Sequence, residues 1–467
     1  MRYARRPGEP TDRLAGHCRR LGRRLSAAAH LSARGPTSTR FADLPGPALP
    51  NTDYLDSNGG QHRSWSAEYF LHSRSKWEPQ QLFQPILKRA LTYCPQKLVG
   101  VAIDDTKLRK TGRAIQQAFY QRDPLSPPFH VNLVLGLRFL QASVLVPLHR
   151  TANVGTRALP IQFQEVSRVK RPGKKASQEE HQQYKVAVKQ KNLSQSFVRM
   201  GKQLREELDL AGGRDKSLVL TADGSFCNRT CFSQVPQRSV LLARARKDAK
   251  LCLQATDHTR RFFALEKFTP EQVRKDEGCA WRTTKLFYGG KRRKTRYKEI
   301  KPLYWQRGAG KRPLRLFVIA PTPYRKSKSR RLYYRDPAYL LTTHLPNSAK
   351  QLLQIYFDRW QIEVNHREEK DTLGVGQAQL WNVTSVPKQP VLAVASYSAL
   401  LLASLQAFGA ERGAAYAELP KWRRNARRPS CLDLVTLLRK EITQQPTLLQ
   451  PLAFKISPGQ LVNAAAA

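Results

Sequence analysis

Apolar residues recur at two different periods along this chain, and the places where the period changes mark its organisation. From Ser64 to Tyr93 they fall at helical spacing (Trp65, Tyr69, Phe70, then Leu82, Phe83, Ile86, Leu87, Leu91), which predicts two short helices. Three strand-like runs follow: Lys97 to Ile103, ending at Asp104-Asp105-Thr106, then Phe129 to Leu140, then Ser143 to Leu148. A charged, proline-interrupted linker covers about 168–180, and Glu179 to Leu210 reads as one long polar helix. Lys216 to Ala222 reads as a buried strand that runs into Asp223-Gly224. The coarse order is therefore strand, strand, strand, helix, strand.

Between 239 and 346 the texture becomes strand-rich and very basic. Val240 to Arg246, Thr283 to Tyr288, Thr295 to Trp305 and Leu314 to Ile319 alternate, and Gly289-Gly290 and Gly308-Ala309-Gly310 supply hairpin signals. Helical texture returns at Ser348 and continues through Tyr356–Lys370. Val391 to Phe408 is the longest apolar stretch, but Ser396, Ser398, Ser404 and Gln406 interrupt it, so it predicts a buried core helix rather than a membrane span. A last helix covers Leu432 to Glu441, with Pro429 and Ser430 as its start signal.

Charge changes the picture more than length does. The 467 residues carry 81 Lys and Arg against 35 Asp and Glu, a formal +46 spread along the chain rather than gathered in a tail. So much like charge repels itself in a compact state, which points to a polyanionic partner, nucleic acid ahead of an anionic membrane surface. Residues 1–60 are rich in Arg, Ala, Pro and Gly and read as a disordered or loosely helical basic arm. Arg5-Arg6 is followed by no apolar run, so no secretory signal is indicated. Seven scattered cysteines make no disulfide framework, and Cys227 and Cys231 have no second Cys/His pair at a zinc-finger spacing; a reducing cytoplasm fits.

One segment concentrates chemistry. At about 100° per residue, Tyr356, Arg359, Glu363 and Lys370 fall within about 60° of arc on one face of a helix. A carboxylate there suits a divalent cation, and the flanking guanidinium and ammonium suit phosphate oxygens; the plainer reading is a solvated face with ion pairs such as Glu363 to Arg367. Two predicted strands also end in aspartate, at Asp104-Asp105 and at Asp223. Each alone reads equally as a turn or a cap. Together with Glu363, carboxylates from two strands and a helix could grip two divalent ions about 3.5–4 Å apart and support in-line phosphoryl displacement.

On these residues the chain resembles a DDE transposase of a bacterial insertion sequence, in the branch marked by Tyr-x2-Arg-x3-Glu-x6-Lys, which Tyr356, Arg359, Glu363 and Lys370 match at every spacing. Further likeness lies in Arg-Lys-Asp-Ala-Lys (246–250), Lys-Arg-Pro-Leu-Arg-Leu (311–316) and Leu-Gly-Val-Gly-Gln-Ala-Gln (373–379), within a span of roughly 98–405. The resemblance implies an α/β fold: an RNase H-like mixed sheet flanked by helices, with a strand-rich insertion before the last catalytic helix. The domains would be a basic arm at 1–60, a small helical region at 61–96, the catalytic core at 97–238 and 347–410, the β-rich insertion at 239–346, and a C-terminal helical region at 411–467. Because the family's first aspartate precedes a threonine, the resemblance favours Asp105 over Asp104.

It further implies that Asp105, Asp223 and Glu363 hold two Mg²⁺ ions, with Mn²⁺ able to substitute. Tyr356, Arg359 and Lys370 would hold the DNA backbone, with Arg244 and Arg246 beside them; by their charge density alone, the basic runs at 291–294 and 326–331 are expected to track DNA flanks through phosphate contacts. Where relatives carry a base-stacking tryptophan this chain has Leu316, which leaves Trp305 on the preceding strand as the substitute. The implied activity is cleavage at element ends and transfer of the 3′-hydroxyl into target DNA. The implied partners are double-stranded DNA, as terminal inverted repeats and target, and a second copy of the chain on that DNA, with no membrane; the setting is a bacterial cytoplasm, at the nucleoid. Two alternatives share the residues: an RNase H-like nuclease without strand transfer, and a non-catalytic DNA-binding derivative.

Overall fold

The structure, a computed structural model, describes residues 66–444 apart from 124–125, 128, 153, 257–259, 326–330, 347–348, 379 and 424–425; for 66–69 and 442–443 it describes the backbone only. The arm expected over 1–60, Trp65, most of the basic run at 326–331 and the chain beyond 444 lie outside the described residues. The described residues divide into two compact units, one within 87–107 and 136–366, the other within 66–86, 108–135 and 367–444.

The first unit is built on a mixed sheet. Its strands are β1 (Leu98–Arg109), β2 (Leu133–Val146), β3 (Arg157–Glu165), β4 (Ser217–Ala222), β5 (Ser239–Arg244), β6 (Arg282–Tyr288), β7 (Lys291–Leu303), β8 (Leu314–Ile319) and β9 (Ala338–Thr342). They lie in the order β2–β1–β4–β5–β9–β8–β7–β6, with β3 antiparallel on β2. β1, β4 and β5 run parallel, and every pair from β5 to β6 through β9, β8 and β7 is antiparallel.

Helices cover both faces of the parallel part. They are α2 (Leu193–Leu210), α3 (Ala349–Asp358) and α4 (Gln361–Arg367); α1 (Gln178–Gln190), which precedes α2, buries no residue. In-register partners on parallel strands point to one side of the sheet. Gly100 pairs with Val219, and a Cβ added at Gly100 would stand 3.0 Å from Cγ2 of Ile355, so that face receives α3. Val101 pairs with Leu220, whose Cδ1 lies 2.9 Å from where a Cβ of Gly201 would be, so the other face receives α2. Glycine at both positions lets helix backbone come close to the sheet. The result is an RNase H-like α/β fold, a large mixed sheet flanked by helices.

Several expected boundaries move. The helix expected as one piece over 179–210 is two, because the Asn192 side chain accepts from Gln195 N at 2.9 Å and starts α2 afresh. α2 then buries Phe197, Met200, Leu204 and Leu208, the three-and-four spacing of a core-facing helix. The two strands expected at 129–140 and 143–148 are the single strand β2, whose pairing with β3 slips between Ala142 and Ser143 at a bulge. β5, expected as the start of a separate insertion, is a central strand parallel to β4. Val240 to Ala243 are buried without alternation, as a strand covered on both faces requires. The remaining insertion strands extend that same sheet.

Ser66–Ser73 and Gln84–Ala90 are the two short helices expected over 64–93. Ser385–Phe408 is long and apolar enough to cross a membrane, but 72% of its apolar window is buried inside the structure, as for a core helix. Cys431–Gln444 follows Ser430, whose hydroxyl accepts from Asp433 N at 3.3 Å.

Candidate active site

β1 and β4 bring two aspartates side by side. Their pairing runs from Leu98↔Ser217 to Ala102↔Thr221, and the same offset carried two residues further sets Asp104 opposite Asp223. Parity places Asp104 on the Gly100/Ala102 side, the face that receives α3. Electrostatics agree: burial, then the neighbouring Asp223 and Asp105 carboxylates, push the Asp104 carboxyl up to about 7, against the pull of Arg359. Asp223 begins a short 3₁₀ turn, its Oδ1 accepting from Ser225 N at 2.9 Å.

Asp105, the residue that the following threonine favoured, is placed otherwise. One step along a strand reverses the side chain, and Asp105 Oδ2 accepts from Arg138 Nε on β2 at 2.8 Å. The structure therefore gathers Asp104, not Asp105, with Asp223.

The third carboxylate comes from α4. Glu363 Oε1 lies 3.5 Å from Arg359 Nη2. Burial raises its pKa, Arg359 opposes that, and Asp223 adds to it, so Glu363 and Asp104 both feel the same aspartate. Tyr356 stands in the same field, its hydroxyl pKa raised by burial against Arg359 and Arg244. The Arg359 guanidinium is 5.9 Å from the Tyr356 ring centroid. Its Nε is buried with no hydrogen-bond partner among the described residues, a donor that a phosphate oxygen would satisfy.

A cavity of about 1100 Å³ opens beside Asp223 and Arg359. Five further bases line it, Arg244, Arg246, Lys247, Arg274 and Lys275, against the carboxylates of Asp248, Glu271 and Asp336. The β4–β5 register explains Arg244: Ala222 pairs with Ala243, so Asp223 is followed across the sheet by Arg244. Arg246 is exposed and ion-paired with Asp248 at 2.8 Å.

The expected single helical stripe is revised. α3 ends at Asp358, and α4 opens with three-residue bonds (Ile362 N to Arg359 O at 3.0 Å, Glu363 N to Trp360 O at 3.1 Å). Lys370 then sits on a π-helical turn, Glu368–Thr372, in the second unit, so one angular increment does not describe all four positions. Trp305 is not among the residues lining the cavity. Its ring meets Phe232 edge-on with centroids 5.8 Å apart and closes on Gly308, where an added Cβ would fall 2.1 Å from the indole. Leu316 is fully buried in β8. The aromatic that sequence reasoning passed over is Trp360, 59% exposed immediately after Arg359. A tryptophan facing water next to a matched motif position is the signal that could have found it. Cys227 and Cys231 are thiols pushed up to about 12, chiefly by burial.

Among the described residues no three His, Cys, Asp or Glu side chains stand close enough, as placed, to hold a metal ion. The donor chemistry nevertheless fits a hard divalent cation. Asp104 and Asp223 offer only oxygens, and their mutual repulsion is what a divalent charge would relieve.

The comparisons with known proteins agree with this class. Residues 56–261, which include Asp104, Asp105 and Asp223, match the family described as DDE superfamily endonuclease. That stretch is similar to an endonuclease domain acting on DNA, which supports a DDE transposase-type reading of the chain. Glu363 and the rest of the Tyr-Arg-Glu-Lys signature lie beyond the matched residues. No curated protein matches the chain.

Proposed function

We propose that the chain is the transposase of an insertion sequence: it cuts DNA at the element ends and joins the freed 3′-hydroxyl to target DNA. The observation that supports this most is the register of Asp104 with Asp223, in the same electrostatic field as Arg359 and Glu363. In this reading Asp104, Asp223 and Glu363 hold two divalent cations, Mg²⁺ or Mn²⁺. When bound, such ions lower the pKa of an attacking water and offset charge on the leaving oxygen. Arg359 directs its unpaired Nε, and Arg244 its guanidinium, to phosphate oxygens beside the scissile bond. Tyr356 positions the backbone by hydrogen bonding, and Lys370 binds phosphate once the DNA is in place. Trp360 offers an exposed indole to a base. Asp105 serves β1 through its ion pair with Arg138 rather than the cation. The active species is a homodimer assembled on DNA.

The test is nicking of a plasmid carrying the parent element's ends, with and without divalent metal, followed by joining of a labelled 3′-hydroxyl end. Asp104→Asn, Asp223→Asn and Glu363→Gln are each expected to remove metal-dependent nicking, while Asp105→Asn retains it. A folded Asp105→Asn variant that cannot nick, beside an Asp104→Asn variant that can, would refute the assignment. Nicking without joining would leave a nuclease and remove the transposase reading.

A further inference from the structure

Helix α1 buries none of its residues. It is nonetheless firmly started: Ser177 Oγ accepts from Glu180 N at 3.2 Å, and Glu180 Oε2 accepts from Ser177 N at 2.8 Å. His181, Tyr184 and Ala187 are half-buried along one line, and the other positions of the helix are exposed. A helix so nearly polar on every side draws little from a core, and a capping box keeps its shape. Its surroundings are basic. Residues 168–191 hold eight Lys and Arg against two Glu, and one of those two, Glu180, is engaged in the cap. Lys170, Arg171, Lys174, Lys175, Lys185 and Lys189 are all exposed, and none of them lines the cavity beside Asp223.

We infer that residues 168–191 form a second docking surface for duplex DNA, gripping its phosphate backbone outside the catalytic cavity. This rests on the DNA-processing reading of the previous section and adds where a further part of the duplex is held. The apolar content of the helix speaks against a protein partner. Its exposed apolar side chains, Val186 and Val188, stand about 160° apart around the axis, so they make no stripe of anchors for a groove. Thirteen residues span about 20 Å. A duplex carries one phosphate charge per about 1.7 Å of its axis, so several phosphates fall within reach of such a span.

The test uses the full chain and a fluorescent random-sequence duplex, with a single strand of equal length alongside, and follows anisotropy across a salt series. Each phosphate contact contributes about 0.9 to the slope of log K against log salt. The combined variant Lys174→Gln, Lys175→Gln, Lys185→Gln, Lys189→Gln is expected to lower the duplex slope by about two or more, and the same four positions changed to Arg to keep it. A slope change below about one overturns the inference, as does a loss seen only with the single strand. The two readings fail differently. A wild-type chain that binds no duplex at low salt sinks the DNA-processing function itself, whereas wild-type binding with an unchanged variant slope sinks only this surface.

Discussion

Gln354 occupies the place of one more strand at the β6 edge: its side-chain Oε1 accepts from Phe287 N at 2.8 Å, and its Nε2 donates to Phe287 O at 2.8 Å. The same Nε2 is 3.0 Å from Asp358 Oδ1, and Tyr288 stacks on Phe357 with ring centroids 4.6 Å apart. The insertion is thereby tied to α3, the helix that carries Tyr356 and leads into Arg359. Leucine at 354 keeps the bulk and removes both bonds. We predict that Gln354→Leu costs about 1–3 kcal/mol, the range for leaving a partly buried polar group unpaired. Urea denaturation and exchange of the Phe287 amide check this. An unchanged midpoint with unchanged protection would show that the amide merely decorates the edge.

The pair Asp105–Arg138 joins β1 to β2 with side chains 16% and 29% exposed. Partial burial makes such a pair stronger than a surface ion pair and costly to break from one side. Asp105→Ala and Arg138→Ala are each expected to destabilise, and the double variant to cost less than the sum of the two, with a coupling of about 1 kcal/mol. A double-mutant cycle by chemical denaturation measures that coupling. Strict additivity would mean that the two side chains are neighbours without an interaction, and the structural role given to Asp105 would go with it.

Much of this architecture was legible in residue patterns, and the misses share a physical cause. Short-range signals worked where burial alone decides, as in the strand leading to Asp223 and the core helix at Ser385–Phe408. They failed where pairing across the sheet decides. β5 has an insertion-like neighbourhood in sequence, but its partners are β4 and β9. The choice between Asp104 and Asp105 turned on which face of β1 receives α3, which is fixed by Gly100 against Ile355 and by the register with β4. No spacing within one strand reveals that. Likewise the break at Arg359–Trp360 and the π-turn holding Lys370 lie inside a stretch whose composition is helical throughout.

Gly100 is the position at which that face is set. An added Cβ would meet Ile355 Cγ2 at 3.0 Å and Cγ1 at 3.3 Å, and Leu145 Cδ1 at 3.3 Å. Alanine forces these side chains to give by tenths of an ångström, and valine cannot be accommodated without moving α3. Overpacking of this kind costs about 1–3 kcal/mol, and for Gly100→Val we predict the upper part of that range. Because Tyr356 is the next residue after Ile355, the displacement should also reduce nicking more than the lost stability accounts for. Activity measured well below the melting temperature separates the two effects. Full activity in a destabilised Gly100→Val variant would mean that α3 can shift without disturbing Arg359 and Glu363.

Asp358 gives the chain a pH-dependent stability of predictable sign. Its side chain is buried, and that burial pushes its pKa from 3.8 up to about 7 against the hydrogen bonds from Thr156 and Gln354. Between those values the native state holds a proton that the unfolded chain has released. Fewer protons on the unfolded state make the derivative of unfolding free energy with pH negative, so this group's contribution declines as pH rises through the window. The slope reaches at most about 1.4 kcal/mol per pH unit for one group. Asn at this position stays neutral at every pH and can still accept from Thr156 and Gln354. The prediction is therefore that Asp358→Asn gains stability relative to the wild type steadily from about pH 4 to about pH 7, and that the gain levels off above it. Urea denaturation of both proteins across that range gives the difference directly. Parallel stability curves would mean that Asp358 is ionised in the native state throughout, and that water or a base reaches it where the structure shows a closed contact.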